Sequence, residues 1–251
     1  MRSGSATELS AYTYQAAIKL TPLRTRPKTE ISSSYSKRSH YLISVGGIAM
    51  PYLREQESVA NVNEAQINGD EKLVLAQLIV SAAPLFYALL PCSEQKMLTL
   101  VAEQIGEPGT ELQNTYVLRH GGRVSSILSA VGDNQITTAR LGSSMNFIRK
   151  LGRSERACYM SNLKRYAKEL EPIDKPGTYI ARLATKPASN TAGAGARLLK
   201  WFLLSSGPGL YTCHVHKDNS IAMWLNQKVG FRLISELNEG AFDYRALVLQ
   251  L

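Results

Sequence analysis

The sequence predicts a mixed α+β domain built around one sheet, behind a basic N-terminal extension. Three observations lead there. The 251 residues are 44 % hydrophobic and 20 % charged, ordinary for a globular chain long enough to bury a core without disulfides or metal. From about residue 70 the apolar residues fall into helical and strand periods, in the order helices, hairpin, helices, then β-α-β-α-β-β. The charge is uneven. Of a net +9, residues 1–50 hold +5, from seven bases and two acids. Residues 1–69 are therefore read as a basic, disordered extension and 70–251 as the domain. Residues 1–40 are rich in Ser, Thr, Arg and Lys and show no sustained apolar period, too little to offset ordering entropy.

Each element has a local reason. Leu73, Val74, Gln77, Leu78 and Ser81 make one helical face that ends or kinks at Pro84. Ser93 caps a second helix through Met97, Leu98, Val101 and Ile105, stopped by Gly106. Thr115–Arg119 and Arg123–Val131 read as strands around the turn His120-Gly121-Gly122, a hairpin. Residues 134–170 read as two helices split near Gly152 and ended by Pro172 and Pro176. Tyr179–Ala184 is a strand, residues 187–192 a loop and Gly193–Ser205 a helix. Tyr211–Val215, Asn219–Lys228 and Phe231–Ser235 follow as strand, helix and strand. A last strand, Tyr244–Leu249, comes after a turn at 238–240.

Several classes fall away. No apolar run reaches the roughly 18 residues of a membrane span. Cys92, Cys158 and Cys213 are few, odd in number and form no CxxC, so neither a zinc ribbon nor a redox pair is expected, and a reducing, cytoplasmic setting is. The Arg- and Ser-rich, acid-poor start also resembles an organelle transit peptide, which leaves organelle targeting as the alternative. The bases lack interleaved aromatics in a folded frame, so no specific nucleic acid is expected. Cys92 and Cys158 read as buried small hydrophobes.

The segment most suited to chemistry runs from Ala184 through Lys186 and Asn190 to Leu199: strand, small-residue loop, helix start. Small residues admit a ligand close to the backbone. The unpaired N–H groups and positive dipole end of a helix start favour an anion such as a pyrophosphate. A P-loop is excluded because Gly195 is followed by Ala196-Arg197, and a dinucleotide fingerprint because Leu198 stands where its third Gly or Ala would.

A second segment, Asn219 to Phe231, reads as a helix ended by Gly230. Together the two segments resemble the coenzyme A site of the GCN5-related N-acetyltransferases. The loop Asn190-Thr191-Ala192-Gly193-Ala194-Gly195 stands where that family has Arg/Gln-x-x-Gly-x-Gly/Ala. Asn219, Ala222, Gly230 and Phe231 stand for its Asn-x-x-Ala helix and Gly-Phe ending. The resemblance covers about residues 70–251 in element order and 180–231 in specific motifs.

It implies a mostly antiparallel mixed sheet with splayed central strands, flanked by helices. It also implies an acetyl-CoA-dependent N-acetyltransferase in which a primary amine attacks the thioester directly. Backbone N–H groups from Thr191 through Ala196 would hold the pyrophosphate. The backbone of Arg182, Leu183 and Ala184 would pair with pantetheine, and Asn219 would bond the cofactor or brace the splay. The acceptor would be a small-molecule or peptide amine; no metal is implied, and the oligomeric state is not read.

The departures bear on catalysis. Asn190 replaces Arg or Gln. Asn226 occupies the position where the family often carries a Tyr acid, and has no acidic proton to give. No Glu or Asp lies between Gly177 and Lys200 to act as base. His214 and His216 are the substitutes, on one strand face because side chains alternate. Cys213 points to the other face, so the three make no metal site. A coenzyme A-binding protein without turnover is the alternative reading.

Overall fold

The computed structural model describes residues 44–45, 48–49, 53–132, 135–169, 176–187, 191–236 and 243–251. The expected disorder of residues 1–40, Asn190 and the turn at 238–240 lie outside these residues. Ser44–Val45 (β1) and Ile48–Ala49 (β2) form a short antiparallel ladder. Glu57–Asn61 (β3) then opens the main sheet.

Asn68 accepts from the Glu71 N–H and caps Gly69–Ala82 (α1), whose first turn carries Asp70 and Glu71 at the positive dipole end. Pro84 does not continue α1. It occupies the first turn of a new short helix, Pro84–Tyr87 (α2), where its missing N–H leaves no bond unmade. Ser93 caps Glu94–Gln104 (α3) as expected. Thr115–His120 (β4) and Arg123–Val131 (β5) form the hairpin, with Gly121 and Gly122 both at positive φ in its turn. Ile136–Lys150 (α4) and Arg153–Glu169 (α5) are the two helices split at Gly152. Thr178–Thr185 (β6), Ala194–Ser206 (α6), Leu210–His216 (β7), Ser220–Val229 (α7), Arg232–Glu236 (β8) and Tyr244–Gln250 (β9) complete the order.

The seven strands run β3-β4-β5-β6-β7-β9-β8. Every pairing is antiparallel except β6 with β7. One face is covered by α1–α5, with Leu75, Ile79, Phe147, Leu151 and Tyr159 buried against Val117 and Ile127. The other is covered by α6 and α7, with Leu198, Leu199, Phe202 and Met223 against Leu128, Cys213 and Leu247. Filled on both sides, β5 is buried at every position after Arg123, its serines included. Each fully buried aliphatic side chain there contributes about 1.5–3 kcal/mol by leaving water. Cys158, read from sequence as buried, is exposed on the outer side of α5.

The domain begins earlier than the boundary expected at residue 70. β3, assigned from composition to the extension, is the edge strand, paired with β4 along its length. It was missed because a five-residue strand with acidic and polar members shows almost no alternation. Its Glu57 is 1 % exposed and receives the Arg197 guanidinium of α6 through Nε at 2.9 Å and through Nη2. The Arg54 N–H adds a bond at 2.8 Å. Burial pushes the Glu57 carboxyl up, but Arg197 and the Arg54 N–H outweigh it and hold the carboxyl below its ordinary value.

Three outcomes follow from this packing. Gly142 of α4 faces the backbone of the preceding loop, and a Cβ there would lie 2.0 Å from the Gly109 oxygen. Gly142→Ala should lower unfolding stability by about 1–3 kcal/mol in a denaturant titration. Glu57→Gln leaves Arg197 buried without its charge partner and should cost about 3–5 kcal/mol at pH 7. Because the folded carboxyl titrates below the unfolded one, that stabilisation is complete above about pH 4.5 and fades as pH falls through the lowered value. The gap between wild type and variant should therefore narrow in acid melts. Deleting residues 1–50 should leave a cooperative melt, whereas deleting 1–69, which removes β3 and Glu57, should abolish it.

Candidate active site

The middle of the sheet is interrupted. β6 and β7 pair only at Thr178 with Tyr211 and at Tyr179 with Thr212. Beyond these positions β7 stays joined to β9 through His216, and β6 stays joined to β5 through Thr185. The two central strands thus lose each other, not their outer neighbours. The register across β5 and β6 shows why. Ser129 faces Arg182 and Ala130 faces Ile180, so Ala181 is an extra residue in β6. Such a bulge bends its strand and leaves a residue outside the ladder. The parting lies at Ala181, and the facing edges past it have no strand partner.

On the face carrying α6 and α7, the loop after β6 runs into the N-terminus of α6. Gly193 sits at φ 73° as the N-cap, and no side chain caps the helix. The first N–H groups of α6 therefore remain for an outside acceptor, at the dipole's positive end. Gly193 is needed for its left-handed backbone. Gly195 serves a different end: a Cβ there would meet Thr185 Oγ1 at 2.6 Å, so its absence lets α6 lie close on β6. The loop is tied down by Thr191 Oγ1 donating to Lys186 O at 2.5 Å. Ala192 O accepts from Arg197 Nη1 at 3.0 Å and from Arg54 Nη2 at 3.4 Å. Thr191, Ala192, Gly193, Ala194, Gly195 and Ala196 thus form one strand-to-helix corner beside Leu183 and Ala184. These residues fit an elongated phosphorylated ligand laid along the open edge of β6.

Asn219 stands at the exit of β7, exposed, and its Oδ1 accepts the Ala222 N–H at 3.0 Å. It is a helix cap, and Ala222 is the residue it caps. Asn226 is buried. Its Nδ2 donates to Ala222 O at 2.8 Å and its Oδ1 accepts from the Cys213 thiol at 3.7 Å. The Asn226 amide is thereby committed to joining α7 to β7. Burial pushes the Cys213 thiol up to about 12, so it stays protonated and is no nucleophile.

The opposite face holds the titratable groups. His214 and His216 share that face, both rings against Tyr244, but only His214 reaches the parting. His214 Nδ1 lies 3.0 Å from the Tyr179 hydroxyl, which accepts from Arg140 Nη2 at 2.9 Å. Burial raises the Tyr179 hydroxyl pKa, so at neutral pH it is a phenol. The same phenol oxygen accepts from His214 Nδ1–H in the tautomer that leaves the lone pair on His214 Nε2. His216 lies at the strand's exit, where its Nδ1 accepts the Asp218 N–H at 3.3 Å. The side chain of Arg182 does not follow the open edge. It turns into the helical face, stacked over Phe86 and Tyr87 at 5.1 and 5.5 Å, with Nη1 donating to Ala181 O at 2.7 Å. Glu111, 2 % exposed, lies between Arg140 Nε at 3.4 Å and Arg182 Nη2 at 3.6 Å. Sequence reasoning missed Glu111, Arg140, Glu57 and Arg197 as site residues. They come from four separate elements and loops, at spacings that form no short pattern. Among the described residues no group of three or more His, Cys, Asp and Glu could hold a metal, and no helix is long and apolar enough to cross a membrane.

No protein-family model matches the chain, and no curated protein does. Solved structures do. An N-acetyltransferase from Staphylococcus aureus Mu50 superposes with a TM-score of 0.50 at 16 % identity, covering 73 % of this chain and 98 % of that one. A structure from Corynebacterium glutamicum described as histone acetyltransferase HPA2 and related acetyltransferase superposes with a TM-score of 0.51 at 16 % identity. It covers 77 % of this chain and 95 % of that one. At such identities the likeness is one of architecture, and the chain has the fold of the GCN5-related N-acetyltransferases, with the parted central strands that the resemblance implies.

Proposed function

We propose that the protein is an N-acyltransferase that moves an acetyl group from acetyl-CoA to a primary amine by direct attack. The observation that carries the reading is the parting of β6 and β7 beside the uncapped start of α6. The corner from Thr191 to Ala196 offers N–H groups to a pyrophosphate, and the free edge of Arg182, Leu183 and Ala184 offers a ladder to pantetheine amides. Acetyl-CoA supplies the activated acyl group.

In the transfer the amine nitrogen forms a bond to the thioester carbonyl carbon, the carbon–sulfur bond breaks, and the nitrogen loses a proton. A backbone N–H freed by the Ala181 bulge suits the oxyanion. His214 takes that proton at Nε2, its ring held in orientation through Nδ1 by Tyr179 and, behind it, Arg140. The thiolate takes its proton from water, since Asn226 has none to give and its amide is engaged within α7 and with Cys213. The inert Cys213 thiol argues against an acyl-enzyme and for a ternary complex. The buried Asn226 also favours one second reading, a protein that binds acyl-CoA without turnover.

Release of coenzyme A thiol from acetyl-CoA across a panel of amines decides between the readings: tight binding with no turnover on any amine would overturn transfer. His214→Gln should lower kcat by about 10²–10⁴-fold while leaving the Kd for coenzyme A within about twofold by calorimetry. Gly193→Val forces a branched residue into the left-handed region beside Arg197 and should weaken coenzyme A binding roughly tenfold.

A further inference from the structure

The buried charge beside His214 is larger than the transfer of a proton needs. A partly open cavity of about 40 Å³ lies where β6 leaves β7, lined among others by Glu111, Arg140, Tyr179, Ala181, Arg182 and His214. It contains two guanidinium groups and one carboxylate. Glu111 meets each at 3.4 and 3.6 Å, longer than a charge-assisted hydrogen bond. The remaining lining groups are neutral phenols, an imidazole and apolar carbons, so among the described residues one positive charge is left over. Arg182 is 7 % exposed, and its Nε has no hydrogen-bond partner among the described residues. A buried charge without a counter-charge is costly, as is a buried donor without an acceptor.

We infer that this cavity is a carboxylate subsite, and that the acceptor is a small amino carboxylate whose acid group lies against Arg140 and Arg182. The inference rests on the acyltransferase reading and names the acceptor class for it. One singly charged carboxylate neutralises the surplus. A guanidinium pair recognises that planar group with two directed bonds. The size agrees. A single water needs about 10–15 Å³ of such space, so 40 Å³ receives a carboxylate and excludes a peptide chain. The position agrees too, because Ala181 and His214 form the cavity's inner wall. An amine a few bonds from that carboxylate meets the parted strands where the thioester carbonyl would lie.

The test uses the full chain, with acetyl-CoA and three matched pairs of acceptors: glycine, alanine and phenylalanine as free acids and as carboxamides. The free acids should be preferred by about 10- to 100-fold in kcat/KM, the effect of a charge-assisted bond made or lost. In Arg140→Gln the preference should collapse to about unity. Arg182→Lys, which keeps the charge and loses Nε, should retain part of it. Both variants are checked for wild-type melting. Equal use of acids and amides, or a loss in Arg140→Gln that falls equally on both, would overturn the subsite and mark the cluster as structural. Calorimetric binding of the free acids to the protein with coenzyme A present is the second arm. If no amine is acetylated but the acids still bind and Arg140→Gln removes that binding, the acyltransferase reading fails and the subsite stands.

Discussion

The rest of this structure depends on two central strands that stop pairing with each other. A sheet normally satisfies its backbone groups by running neighbours in register. Here the register is broken by one extra residue, Ala181, while the outer partners β5 and β9 hold both strands in place. A gap of this kind would collapse if either strand could swing back. It persists because β5 is buried on both faces and because β7 is clamped along its length by β9. The helices then follow from the gap. Those of one face bring phenols and guanidiniums to its edge, and α6 on the other brings backbone N–H groups.

The chemistry around the gap is divided by the sheet. On the face of α6 and α7 the gap is bordered by groups with no proton to exchange: a glycine-capped helix start, a thiol kept protonated, an amide engaged in packing. On the face of α1–α5 the ionisable groups are concentrated and largely dry. That separation is what a two-substrate reaction asks of a scaffold, since a phosphorylated ligand and an amine need opposite surroundings. In the proposed reaction Asn226 is compatible with transfer, because that position belongs to the packed side and not to the side that holds His214 and Tyr179.

Much of this was legible in the chain. Capping residues, the Gly-Gly turn and Gly152 placed the helix and strand limits to within a few residues, because each of them acts locally. The strand-loop-helix corner and the helix from Asn219 to Gly230 were legible for the same reason. What could not be read depends on residues far apart. Glu111 is one of two acids in a loop, Arg140 one base on a polar helix, and only the folded sheet brings them to Tyr179. His214 and His216 look alike by alternation, and which one faces the gap is decided by Tyr179. β3 was hidden because its reason for being a strand lies in its partners: it exists as an edge for β4 and as a seat for Glu57.

The ion pair of Glu57 and Arg197 joins residues 140 positions apart. Loop closure of that span is entropically expensive, and contacts of high sequence separation form late. The pair also fastens the corner that precedes α6, through Arg197 and Ala192. During synthesis, then, β3 can pair with β4 as soon as that strand has emerged, but Glu57 must wait for α6, and the corner before α6 gains its final shape only when these two distant parts of the chain meet. The start of the domain is in this sense a late-acting lock on its far half, so the shape of the corner before α6 and the completion of folding arrive as one event.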